Sequence, residues 1–97
     1  TIKLLFTNNY IVMELLKEEL KNKIIEVLNL EEVVPGDIQD DAPLFGEGLG
    51  LDSIDALELI VLLDKDYGIK VTDPKDGKVI FKSINALASF VAENKIK

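Results

Sequence analysis

The chain has 97 residues, 47% of them hydrophobic and 30% charged, which suits one small globular domain and leaves no room for two. It contains no cysteine, histidine, tryptophan or arginine, which excludes a disulfide framework, thiolate chemistry, a zinc site built on nitrogen and sulfur, and a Ser-His-Asp triad. The net charge is −7, and residues 31 to 66 carry eleven acids against one base, Lys65. That field repels nucleic acid and anionic membrane and steers basic protein surfaces toward it, although from charge alone a solvated face that serves solubility is the favoured reading.

The opening "TIKLLFTNNYIV" is apolar but only 12 residues long and is interrupted by "TNN". It is too short to span a bilayer and lacks a charged start and a small-residue cleavage site. Standing directly before Met13, residues 1 to 12 read as an N-terminal extension, disordered or non-native, of a domain covering 13 to 97. The alternative is a short ordered arm packed on the body.

From Glu14 to Asn29 the pattern predicts an amphipathic helix, with Leu16, Leu20, Ile24, Val27 and Leu28 at helical spacing. Residues 30 to 51 hold Pro35, Pro43 and four glycines among scattered acids and read as one long loop. A loop of that length inside a compact domain is uncommon and usually functional. Val33, Val34, Ile38, Leu44 and Phe45 allow it to lie on a core.

A second helix is predicted from Ser53 to about Tyr67, stopped by Gly68. "IKVTDP" follows as an extended link. Asp73 and Pro74 suit the cap and first position of a single turn, which Gly77 opposes. A last helix begins after Ser83, its N-cap, with Ile84, Leu87, Ala88 and Val91 on one face. The expected fold is all-α, a small three- to four-helix bundle with a long loop between the first and second helices.

Within the second helix, Ala56, Leu59, Ile60, Leu63 and Tyr67 cluster on one side and should face the core. Ile54, Leu57 and Val61 lie opposite, with Glu58 and Lys65 among them, while Asp55, Leu62 and Asp66 fall between. The pattern alone favours burial nearly all round. The interleaved acids favour an exposed docking patch, because burying them unpaired is costly.

Ser53 stands in "GEGLGLDSIDALEL" with Asp52 before it and Asp55 and Glu58 after it. Two arrangements are open. If Asp52 is the N-cap, Asp55 takes the third position of a capping box and the Ser53 hydroxyl is unspent. If Ser53 is the cap, its hydroxyl is occupied and the motif is merely structural. "GEGLG" fails as a phosphate cradle, since no strand precedes it and no Gly-Lys-Ser follows. "DKDYG" fails as a calcium loop, because its glycine comes one position early and Lys75 stands where glutamate is needed. With no activating base in the chain, Ser53 is a poor nucleophile, so any chemistry on it is done by another protein.

The stretch from Gly50 through Leu59, with an acid-rich loop before it and "LDKDYGIKV" after it, resembles the acyl carrier proteins. Gly50, Asp52, Ser53, Ile54, Asp55, Leu57, Glu58 and Leu59 fill the family's signature, and the likeness runs from about Glu14 to Glu93. The resemblance implies a carrier that catalyses nothing itself. Ser53 would receive 4′-phosphopantetheine from coenzyme A, with Asp52 in support, through a separate phosphopantetheinyl transferase that supplies magnesium and the base. The arm would hold acyl groups as thioesters and carry them between ketosynthases and other acyl-processing enzymes of fatty-acid or related secondary and polyketide-like biosynthesis. Ile54, Asp55, Leu57, Glu58 and Val61 fall where the family meets basic patches on its partners, with Asp64 and Asp66 prolonging the acidic edge. The family's helices also form a cleft that shelters the acyl chain. The expected setting is the cytoplasm and the expected state a monomer.

Some residues depart from the family pattern. Gly46 and Gly48 make the approach to Ser53 more flexible, Lys65 replaces a usual acid, and residues 73 to 82 match the short third helix poorly. A D-alanyl carrier is an alternative, and a peptidyl carrier fits less well without histidine before the serine. Outside the family, the competing reading is an acidic helical adaptor in which Ser53 only caps its helix.

Overall fold

The computed structural model describes residues 2–46, 48–72 and 76–94. Four helices follow one another: α1 (Ile2–Val27), α2 (Ser53–Tyr67), the single turn α3 (Gly77–Ile80) and α4 (Ile84–Asn94), with a 3-10 turn at Pro35–Asp37 between the first two. No described helix is long and apolar enough to cross a membrane.

At 26 residues, α1 is about 39 Å long at the usual helical rise. It accounts for most of the molecule's 44 Å long axis. It starts at Ile2 rather than at the expected Glu14 and runs straight through "TNN". Leu16, Leu20 and Ile24 are buried and Met13 packs against them, whereas Ile11 and Val12 are exposed. The helix stops two residues before the expected Asn29, which itself adopts a left-handed conformation with φ 55°. Asn29 N–H donates to Glu26 O at 3.2 Å and Leu30 N–H to Ile25 O at 2.9 Å. This bond pair satisfies the last carbonyls of the helix, with asparagine in the place glycine most often takes.

The core unites α1 with Leu59, Leu62, Leu63 and Tyr67 of α2 and Ile84, Leu87, Ala88 and Val91 of α4. The α4 face is the one expected, and Ser83 caps it, its Oγ accepting from Ala86 N–H at 3.1 Å. Tyr67 and Lys23 tie α2 to α1. The Lys23 ammonium lies 5.8 Å from the Tyr67 ring centre and 2.9 Å from an Asp66 oxygen. The expected turn at Asp73 and Pro74 falls outside the described residues. Helix does form at Gly77, where opposition was expected; the first helical position tolerates glycine.

The long loop lies on the core, burying Ile38, Leu44 and Leu51. Asp40 straps it in place. Its carboxylate pairs with Lys21 at 2.7 Å and Lys17 at 3.7 Å, and its carbonyl accepts from Asn85 N–H of α4 at 2.9 Å. The hydrogen bond from Lys21, helped by the charge of both lysines, holds the Asp40 carboxyl below the usual carboxylate range. A depressed value means stability that is present above about pH 4 and lost as pH falls through the folded-state value. Asp40→Asn should therefore destabilise by up to about 1 kcal/mol at neutral pH, since the pair is partly solvated. Thermal unfolding should show that difference shrinking toward zero in acid; a difference that persists there would locate the effect elsewhere.

Candidate functional site

The loop enters α2 through a closed turn. Phe45 and Leu51 form an isolated parallel bridge, with Leu51 N–H donating to Leu44 O at 3.1 Å and Leu49 N–H to Pro43 O at 3.2 Å. Gly48 lies so close to Pro43 that a Cβ there would fall on the Pro43 carbonyl oxygen. The expectation of a flexible approach is thus corrected at this position: glycine permits a close backbone contact. Phe45 then meets Phe81 edge-to-face, ring centres 6.5 Å apart, which seats the turn on the corner before α4.

Asp52, not Ser53, caps α2. Its Oδ1 accepts from Ile54 N–H at 3.0 Å and Asp55 N–H at 3.1 Å. The Asp55 carboxylate accepts in return from Asp52 N–H at 3.0 Å, completing the capping box. Ser53 is the first helical residue, exposed to solvent, and its hydroxyl enters no hydrogen bond among the described residues. At the other end Gly68 adopts φ 67° and its N–H donates to Asp64 O, which fixes where the helix stops.

Ser53 stands on the lip of a cleft of about 640 Å³. Pro43, Phe45, Leu51, Ile54, Ala56, Leu57 and Ile60 make most of its wall, with Asp52, Gly77 and Lys82 completing it. An apolar chain fits such a wall; a highly charged ligand does not.

The outer face of α2 is exposed: Ile54 at 68%, Leu57 at 56% and Val61 at 58%. The burial favoured by the pattern does not occur. The core side is filled by Leu59, Leu62, Leu63 and Tyr67, with Ala56 and Ile60 only partly covered. Leu62 was expected between the two faces and is buried. Glu58 is exposed on the outer face with no ion pair among the described residues. Asp55 is half-buried and engaged in the capping box, and Asp64 lies 3.7 Å from Lys70. Asp66 is drawn back to Lys23 and does not extend the acidic edge as a free charge.

Sequence reasoning passed over two exposed residues before α4, of which Lys82 borders the cleft. Val79 of α3 is 73% exposed, and Lys82 is a basic residue on the wall of the cleft. The only hint in the sequence was their place just before the Ser83 cap. Among the described residues no group of acids is arranged to hold a metal ion.

Residues 18–91 match the family described as "Phosphopantetheine attachment site". "Acyl carrier protein 2, mitochondrial" of Arabidopsis thaliana is 29% identical over 79 residues, which is 80% of this chain and 60% of that relative. This chain therefore spans less than two thirds of the mitochondrial protein. "Acyl carrier protein" of Helicobacter pylori is 30% identical over 79 residues, 81% of this chain and 94% of the relative. "Polyketide-8 synthase acyl carrier protein 2" of Streptomyces avermitilis is 39% identical over 57 residues, 59% of this chain and 61% of the relative. With a family match across most of its length, a helical bundle and an acyl-carrier-like sequence, the chain belongs to the phosphopantetheine-attachment-site family, whose acyl carrier proteins are carriers and not catalysts.

Proposed function

We propose that Ser53 receives 4′-phosphopantetheine from coenzyme A, and that the chain then shuttles acyl groups between enzymes of fatty-acid or related polyketide-like biosynthesis. One observation carries this reading: Asp52 performs the capping, so an exposed Ser53 hydroxyl stands unspent beside an apolar cleft. The residues present thus fit the arm. When bound, the arm supplies a terminal thiol that holds acyl groups as thioesters. Ser53 Oγ forms the new bond to the phosphorus that bears the pantetheine, and the pyrophosphate of coenzyme A breaks there with adenosine 3′,5′-bisphosphate leaving. The serine proton passes to the phosphopantetheinyl transferase, this chain having no histidine to take it. Asp52 and Asp55 hold the first turn rigid, so Ser53 is presented in one place.

Ile54, Leu57 and Val61 form the centre of the partner face, with Glu58 as its free charge and Asp55 and Asp64 as its flanks. A small apolar centre with long-range charge attraction suits a carrier that must dock and leave many times. The cleft wall suits an aliphatic or modestly polar cargo. Relatives named both for plain acyl carriage and for a polyketide synthase support the two pathways alike. The carrier domain proper occupies residues 13 to 97, with 1 to 12 as an N-terminal extension; packing of Met13 and Leu16 beside exposed Ile11 and Val12 supports that boundary, although α1 itself runs from Ile2. The setting is the cytoplasm and the state a monomer.

Glu58→Lys tests the face. Arm transfer by a transferase at low salt should slow about tenfold, the scale of electrostatic steering. The deficit should fade as salt screens the charge. Helix content should not change, because Glu58 makes no hydrogen bond or ion pair through its side chain among the described residues. Wild-type kinetics at low salt would remove this face as the docking surface.

A further inference from the structure

The N-terminus of α2 is a poor seat for the anion proposed to sit there. A phosphodiester carries one fixed negative charge at neutral pH, and helix N-termini hold such groups through free backbone N–H donors. Here most donors near the start of the helix are occupied: Ile54 and Asp55 N–H bond the Asp52 carboxylate and Ala56 N–H bonds the Asp52 carbonyl at 3.1 Å, which leaves the Ser53 N–H. Asp52, Asp55 and Glu58 surround the position with negative charge. A cation from elsewhere in the fold would offset that charge.

One side chain meets that need. Among the described residues lining the cleft that begins at Ser53, Lys82 is the one cation. Its backbone is held at both ends: its carbonyl accepts from Leu44 N–H at 3.3 Å, and its N–H donates to Val79 O at 3.4 Å. The first of these bonds joins it to the same turn that delivers Ser53. Lys17, Lys21, Lys23 and Lys70 each have a carboxylate partner, whereas the exposed Lys82 ammonium has none among the described residues.

We propose that Lys82 is the counter-ion of the phosphodiester on Ser53 and is a positioning residue that keeps the root of the arm over the cleft. This rests on the attachment of the arm to Ser53 proposed above. The pairing would be solvated and salt-sensitive, so it would bias the arm toward the cleft at rest and yield when a basic partner surface competes for the same phosphate.

Phosphorus NMR of the arm-bearing protein reads the pairing directly. Wild type, Lys82→Gln and Lys82→Arg are compared at low and high salt, with a proton–nitrogen spectrum of each apo form as the folding control. The expected result is a phosphorus resonance that moves with salt in wild type and in Lys82→Arg. In Lys82→Gln it should be displaced, and its salt dependence should differ from that of wild type, since only repulsion from the neighbouring carboxylates is then left to screen. A resonance indifferent to Lys82→Gln, or displaced equally by Lys82→Arg, would overturn the pairing while leaving the arm in place. No phosphorus resonance at all would overturn the attachment on Ser53 and this proposal with it. The wild type offers a reading that needs no variant: the Lys82 side-chain ammonium signal should shift between apo and arm-bearing protein, and an unmoved signal would contradict the pairing.

Discussion

Ser53→Ala should leave the chain permanently without its arm while hardly touching its fold. Incubated with coenzyme A, magnesium and a broad-specificity transferase, the variant should gain no mass. The change should alter stability by no more than about 0.5 kcal/mol, as for an exposed site outside any cap or core contact. That separation follows from the division of labour at the start of α2. Asp52 holds the backbone N–H groups and Asp55 closes the box, so the Ser53 hydroxyl contributes nothing to the helix. A serine that capped the helix would behave differently, its loss costing about 1 kcal/mol. Thermal unfolding and intact mass, measured on the same samples, distinguish the two. A variant that still takes up the arm would place the attachment elsewhere, and one that melts far below wild type would give Ser53 a structural role.

Gly48→Ala should produce the largest loss of stability of any single methyl added to the loop. The new Cβ would collide with the Pro43 carbonyl, a backbone group that cannot swing aside as a flexible side chain does. Relief requires the turn to open, at the expense of the Leu49 N–H bond to Pro43 O and the Leu51 N–H bond to Leu44 O. Overpacking of this kind costs about 1–3 kcal/mol. Leu51 immediately precedes the Asp52 cap, so the displaced turn should also misplace Ser53. Thermal unfolding should show the drop, and arm transfer should slow even at temperatures where the variant is folded. Unchanged melting and transfer would mean that the turn is looser than its packing implies.

The helices that package the site were legible because each carries its own punctuation. Ser83 before an apolar stripe announced α4, and Gly68 announced the end of α2. Capping could be narrowed to Asp52 or Ser53 from the order of residues alone, and geometry then chose Asp52. Exposure of Ile54, Leu57 and Val61 was less legible, because periodicity records that a face is apolar and not whether anything covers it. That face stays open because the loop spends Ile38, Leu44 and Leu51 on the core rather than on the outside of α2. Asp66 was misjudged for a related reason. Its partner Lys23 is 43 positions away, and no local pattern reports that meeting. Gly48 was read for freedom when its role is proximity, a distinction that depends on where Pro43 lies. Residues 2 to 13 were placed outside the first helix because "TNN" interrupts their apolar run and they stand directly before or at Met13, whereas α1 is continuous from Ile2. Lys82 was invisible until the cleft had a wall.

The most direct measurement is the intact mass of the wild-type chain after incubation with coenzyme A, magnesium and a phosphopantetheinyl transferase, followed by fragmentation to locate any addition. The proposed attachment predicts one phosphopantetheine per chain, borne by Ser53. An unmodified chain, or an arm found on any other residue, would contradict it.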